Sequence, residues 1–295
     1  MAKLTFKQRF FNPRSPARRS RRAAYALPTL FTAGNVFLGF VAILQSIQGA
    51  LFASRGDLGP NPRFEAAAIA IGVAVVLDGL DGRIARLTNT VSDFGREMDS
   101  LADVIAFGIA PAVLAFCWGV QFVSPAGFLH DHRAGYFFAF LYLVCGAARL
   151  ARFNVQTNPV PKNPGRPDRK YFVGLPIPAA AAIVAAIVYA SDSVPLEWWF
   201  LSVLWLALLA LLSFLMVSTW RYPSFKEISL IGPRSPLTVI FFAALIYLIW
   251  NYSQPVLLAL SVLYVSAGIM IRAGGIIRRR FRPQPPRPEP EHQAG

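Results

Sequence analysis

Residues 78–103, DGLDGRIARLTNTVSDFGREMDSLAD, join two apolar runs and set four aspartates, Asp78, Asp81, Asp99 and Asp103, inside or beside them. A carboxylate at the centre of a membrane-spanning helix costs about 2.5–3.5 kcal/mol on insertion scales, so an ionisable residue there signals function. Asp78 and Asp81 stand three apart and Asp99 and Asp103 four apart, so each pair shares one face of its helix. Two such pairs on facing helices repel one another unless cations lie between them. Oxygen donors alone select hard divalent ions, Mg²⁺ or Mn²⁺ before Zn²⁺, and two of these would cancel the four negative charges. Taken singly, each aspartate fits a helix cap, a solvated tip or an ion pair with arginine equally well. The set points further. Gly79, Gly82, Ala85 and Gly95 permit close backbone approach, while Arg83, Arg86 and Arg96 offer forked donors to phosphate, so the whole suggests a diphosphate site.

The surroundings of this stretch are those of a membrane protein. The chain is 55% hydrophobic yet carries a formal charge of +14, so its charge is concentrated in a few segments. Such a charge alone would suit nucleic acid, but apolar stretches of about 20 residues recur, each long enough to cross a hydrocarbon core roughly 30 Å thick. No nucleic-acid partner is therefore expected. The two cysteines, Cys117 and Cys145, both lie in apolar runs, which points to packing rather than a disulfide or a metal site.

Outward from the motif, the pattern predicts an all-α polytopic bundle of eight spanning helices, near 28–47, 64–85, 94–118, 135–153, 172–190, 198–218, 237–252 and 255–273. The motif spans the second and third of these and their short connection, and Pro111 is expected to bend the third. Pro28 suits the first turn of the first helix, which also holds Asn35, an amide that in an apolar span ordinarily bonds to a neighbouring helix. Residues 1–26 form a basic arm without acidic residues; the following apolar run is too long for a signal-peptide core and lacks a small-x-small cleavage site, so it is expected to be retained. The membrane domain covers 27–275, and 276–295 form a basic, Pro-rich tail expected to be disordered. Residues 156–170, rich in Pro, Asn and charge, make a loop that could order over a substrate. His130, Asp131 and His132 read as solvated loop residues rather than a metal site, and the Arg-Gly-Asp at 55–57 as coincidence.

Eight spans allow a test of orientation. All but Arg55, Arg63 and Arg133 of the 29 Lys and Arg fall on one side, together with both termini and the aspartates. Positive-inside bias makes that side cytoplasmic. Arg149 and Arg152, one turn apart near the end of the fourth helix, share it. They fit either ordinary flanking positives or a site for an anion.

The arrangement Asp78-x2-Asp81-Gly82-x2-Ala85-Arg86-x8-Gly95-x3-Asp99-x3-Asp103 resembles the complete signature of the CDP-alcohol phosphatidyltransferases, with no fixed position missing. The resemblance implies an integral membrane enzyme that displaces CMP from a CDP-linked lipid with an alcohol, using two divalent ions. It implies Asp78, Asp81 and Asp99 as metal ligands and Asp103 as ligand or general base. Gly82, Ala85 and Gly95 would let the nucleotide lie against the backbone, and Arg86 would hold phosphate or orient an aspartate. LPTLFTAGNVFLGF, residues 27–40, resembles the first-helix segment of the same enzymes and implies Asn35 near the nucleotide diphosphate.

Three further runs, CGAARLARFN at 145–154, EMDSLADVIAFGIAPA at 97–112 and YFVGLPIPAAA at 171–181, resemble one branch of the family, the CDP-diacylglycerol–serine O-phosphatidyltransferases. This implies CDP-diacylglycerol and L-serine as substrates, membrane lipids as surroundings and a homodimer as assembly. Arg149 and Arg152 are the candidates for lipid phosphate or serine carboxylate, since guanidinium pairs with both bidentately. Another acceptor, such as glycerol 3-phosphate, inositol phosphate or choline, is a rival within the family. A cation or proton-coupled transporter is the rival from another class; it accounts for the aspartates but not for the spacing of Gly, Ala and Arg.

Overall fold

A computed structural model describes residues 16–56, 58–88, 93–123, 132–157, 171–223 and 236–280. Nine α-helices and one two-stranded ribbon are seen among them: α1 (Pro16–Ala53), α2 (Pro62–Thr88), α3 (Asp93–Asp103), α4 (Ala110–Gly119), α5 (Arg133–Thr157), β1 (Tyr171–Val173), α6 (Ile177–Ala190), α7 (Trp199–Val217), β2 (Arg221–Pro223), α8 (Pro236–Asn251) and α9 (Ser253–Arg280). A π-helical turn, Val104–Ile109, links α3 to α4 without a break.

Among the described residues, five helices are long and apolar enough to cross a membrane: Leu30–Ala53, Phe94–Gly119, Arg133–Val155, Trp199–Val217 and Ser253–Arg272. The protein is thus a polytopic, all-α membrane bundle, with α6 a shorter apolar helix inside it. The expected 94–118 helix is the composite of α3, the π turn and α4.

Several expected boundaries move. Helix α1 begins at Pro16 rather than near Pro28, because the Ala- and Arg-rich run that follows Pro16 is a good helix former. Pro28 therefore lies inside the helix, not at its first turn. At the other end α9 continues to Arg280, past the expected limit near 273. Tyr171, Phe172 and Val173 are a strand rather than the start of a helix. Gly174 follows at φ +79°, a conformation glycine adopts at little cost, and Pro176 and Pro178 delay the next helix to Ile177.

The core lies where α1 packs along α2 and α4, α2 along α6, α5 along α7, and α6 along α9. Asn61 joins the first two helices. Its side-chain oxygen accepts from the Arg63 N–H at 3.0 Å, capping α2 ahead of Pro62, and its amide donates to the Gly49 carbonyl at 2.9 Å. Gly39 on α1 approaches the π turn so closely that a Cβ there would sit 2.8 Å from Ala106 Cα.

The π turn and Pro111 are explained together. Pro111 has no N–H, so the carbonyl four residues earlier, Phe107, loses its helical donor. The Tyr142 hydroxyl of α5 donates to that carbonyl at 3.1 Å, and the Ala110 N–H reaches back to Ile105. The adjustment that sequence places at Pro111 is thus spread over the six residues before it.

The ribbon closes the end of the bundle that carries the aspartates. Strands β1 and β2 pair antiparallel, Phe172 opposite Tyr222, and the Gly174 N–H donates to the Trp220 carbonyl at 2.8 Å. Arg152 fastens it. The guanidinium donates to the carbonyls of Val217 at 3.0 Å and of Val173 and Ser218 at 3.4 Å, taking up acceptors left open where α7 ends.

Candidate metal centre

Asp78 and Asp81 lie near the end of α2, Asp99 and Asp103 on α3, each pair on one helix face as its spacing requires. One carboxylate oxygen from each of Asp78, Asp99 and Asp103 lies within 4.8 Å of the other two. Asp81 is buried beside them and interacts electrostatically with Asp78 and Asp99. Asp81 Oδ2, Asp99 Oδ1 and Asp103 Oδ1 are buried without a hydrogen-bond partner among the described residues. Buried acceptors without donors are costly, and here they converge from two helices. An all-oxygen, multiply charged donor set of this kind fits a hard divalent ion, so the residues present suit the group that the sequence implies.

The face beside the cluster is open. Among the described residues a Cβ built at Gly79 or Gly82 meets no atom within 4 Å, and Gly95 lies in the first turn of α3. Ala85 and Arg86 lie on the last turns of α2, but their side chains fall outside the described residues. Asn35 on α1 is fully buried, and neither the nitrogen nor the oxygen of its amide has a partner among the described residues. Nearby Gly34 packs on Leu77, next to Asp78, and Gly39 packs on the π turn, so α1 carries Asn35 past both helices of the motif.

Arg149 and Arg152, both on α5, part company. Arg149 is buried, leaves its Nε without a partner among the described residues, and interacts electrostatically with Asp103. Arg152, expected beside it as a second substrate cation, has its guanidinium on the three main-chain carbonyls of the ribbon and of the α7 end. His132 lies at the far end of α5, edge-on to Phe116 at 6.4 Å, away from the aspartates; His130 and Asp131 lie outside the described residues, as does most of 156–170.

Two contributions have no local signal in the sequence. Asn154 donates to the Ser100 hydroxyl at 2.9 Å, and Ser100 donates to the Arg96 carbonyl, which ties α5 to the helix that bears Asp99 and Asp103. Tyr264 of α9 interacts electrostatically with Arg149 from a helix more than a hundred residues away in sequence. Its only local trace is a phenol in an otherwise apolar run.

Comparison with known proteins points to one family. Residues 25–192 match the profile of the CDP-alcohol phosphatidyltransferase family. A CDP-diacylglycerol–serine O-phosphatidyltransferase of Helicobacter pylori is 40% identical over 205 residues, 69% of this chain and 74% of the relative. One of Saccharomyces cerevisiae is 38% identical over 156 residues, covering 52% and 50% of the two chains. An archaetidylserine synthase of Methanothermobacter thermautotrophicus is 35% identical over 206 residues, covering 67% and 70%.

Proposed function

The chain belongs to the CDP-alcohol phosphatidyltransferase family, and we propose that it transfers the phosphatidyl group of CDP-diacylglycerol to the hydroxyl of L-serine, releasing CMP. The observation that carries the chemistry is the convergence of Asp78, Asp99 and Asp103 from two helices beside an open glycine face. The acceptor rests on the relatives, which share serine in their names even where the lipid differs.

In this reading Asp78, Asp81, Asp99 and Asp103 hold two divalent ions, Mg²⁺ or Mn²⁺, which when bound would offset the diphosphate charge and stabilise attacking and leaving oxygens. Gly82, Ala85 and Gly95 let the nucleotide lie along the backbone, with Arg86 toward its phosphates and the buried Asn35 amide toward the diphosphate. Asp103 takes the proton of the serine hydroxyl. The serine oxygen bonds to the lipid-side phosphorus as the bond from that phosphorus to the bridging oxygen breaks, and CMP leaves with the electron pair. Arg149, facing Asp103, meets an anionic group of the substrates, and Arg152 holds the ribbon in place. The acyl chains lie sideways in the bilayer. The site faces the cytoplasm, on the side of the basic segments, and the protein works as a homodimer.

The test uses purified protein in detergent with CDP-diacylglycerol and Mn²⁺ or Mg²⁺, each alcohol added separately and CMP followed. Release with serine supports the reading, and release only with another alcohol rejects the acceptor. Movement of metal into sealed vesicles without CMP release would establish the transporter instead.

A further inference from the structure

Beyond the aspartates the bundle gathers hydrogen-bond donors without acceptors. Arg149 is buried with its Nε unpartnered among the described residues, and its guanidinium interacts with Asp103 on α3 and with Tyr264 on α9. The Tyr264 ring lies against Tyr222, centroids 6.0 Å apart and planes at 36°. Tyr222 is wholly buried, and its hydroxyl has no hydrogen-bond partner among the described residues.

Two elements fix the Tyr222 ring. Strand β2 holds its backbone opposite Phe172, and α9 presents Gly268, whose missing side chain leaves the space that the ring fills. A buried hydroxyl and a buried guanidinium N–H are each costly without an acceptor. The complement they share is an anion with several lone pairs, which both can meet by charge-assisted hydrogen bonds.

We propose that Tyr222, with Arg149 and the neighbouring Tyr264, forms an oxyanion subsite on the α5–α9 side of the aspartates, the Tyr222 hydroxyl donating to a carboxylate or phosphate oxygen of a substrate. This deepens the transfer reaction above and rests on it. Three oxyanions enter that reaction, the carboxylate of the amino-acid acceptor and the two phosphates of CDP-diacylglycerol, of which the carboxylate and the lipid-side phosphate are the groups that meet at the acceptor hydroxyl. Only two carbons separate the hydroxyl oxygen of serine from its carboxylate carbon, so a hydroxyl delivered to Asp103 brings the carboxylate toward Arg149.

The experiment compares wild-type protein with Tyr222→Phe, which keeps the ring and removes only the donor. KM for serine and for CDP-diacylglycerol are measured by CMP release, with ethanolamine, which is serine without its carboxylate, as the contrasting acceptor. A rise of roughly tenfold in the serine KM, an unchanged KM for CDP-diacylglycerol, an unchanged melting temperature and a smaller advantage of serine over ethanolamine assign the subsite to the carboxylate. A rise confined to the CDP-diacylglycerol KM assigns it to the lipid phosphate. Both KM values unchanged in folded protein overturn the proposal. Gly268→Ala, which pushes the ring aside with its hydroxyl intact, must give the same split. Wild-type release with an alcohol other than serine alone would reject the acceptor and the carboxylate arm together, leaving the phosphate arm to stand or fall on the CDP-diacylglycerol KM.

Discussion

Asp103 faces partners of both signs, the carboxylates of Asp78 and Asp99 and the guanidinium of Arg149. Asp103→Asn keeps the shape and removes the charge and the proton acceptor. CMP release should fall about 10²–10⁴-fold, the range a general base contributes, while the melting temperature holds because mutual repulsion is relieved. Full activity in that variant would reject the role. Arg152→Ala should act differently. Its loss strips donors from three carbonyls and should lower stability by about 1–3 kcal/mol, toward the lower figure because the side chain is only half-buried. Arg152→Lys should not restore it, since a point charge cannot span three acceptors as the fork does. Tryptophan fluorescence during heating in detergent checks both, and an unmoved transition in Arg152→Ala would show that the strap is dispensable.

At the level of elements, the π turn and its neighbours set where the aspartates point. Tyr142→Phe leaves the Phe107 carbonyl buried without a donor, and should cost about 1–3 kcal/mol with little change in the contacts of the ring. Gly39 and Gly72 make a contrasting pair. Gly39→Val thrusts a branched side chain at the Ala106 backbone and should separate α1, with Asn35, from the motif, so folded yield and CMP release should both collapse. Gly72→Ala, in the interior of α2 with nothing within 4 Å of its Cβ, should gain about 0.5–1 kcal/mol by helix propensity alone. Equal effects from the two substitutions would contradict the close approach.

For the whole molecule, charge and hydropathy set the frame. A chelator should abolish CMP release and added Mn²⁺ or Mg²⁺ should restore it, since clustered carboxylates repel a diphosphate unless cations lie between them. Activity that survives exhaustive chelation would exclude the metal role. Orientation has its own test: with Cys117 and Cys145 replaced by Ala, a cysteine at exposed Ser54 should react with an impermeant reagent from outside intact cells. Labelling there only after the cells are opened would reverse the assigned topology.

The acidic cluster, able to hold a divalent cation, the polytopic bundle and the family were legible in the chain, because a carboxylate in apolar sequence demands compensation wherever it is met, about 20 apolar residues demand a bilayer, and the spacing of the motif is read directly. What sequence placed wrongly depends on partners far along the chain. The strand at 171–173 exists because residues 221–223 pair with it, and the Arg152 guanidinium meets a helix end 65 residues away. The π turn is held by a phenol 35 residues away, and Tyr222 is buried against α9 only because position 268 is glycine. Local periodicity and the burial cost of charge determined the architecture and the site; tertiary contacts decided which donors stay free to meet a ligand, because an arginine or a phenol commits to whichever acceptor folding brings within reach.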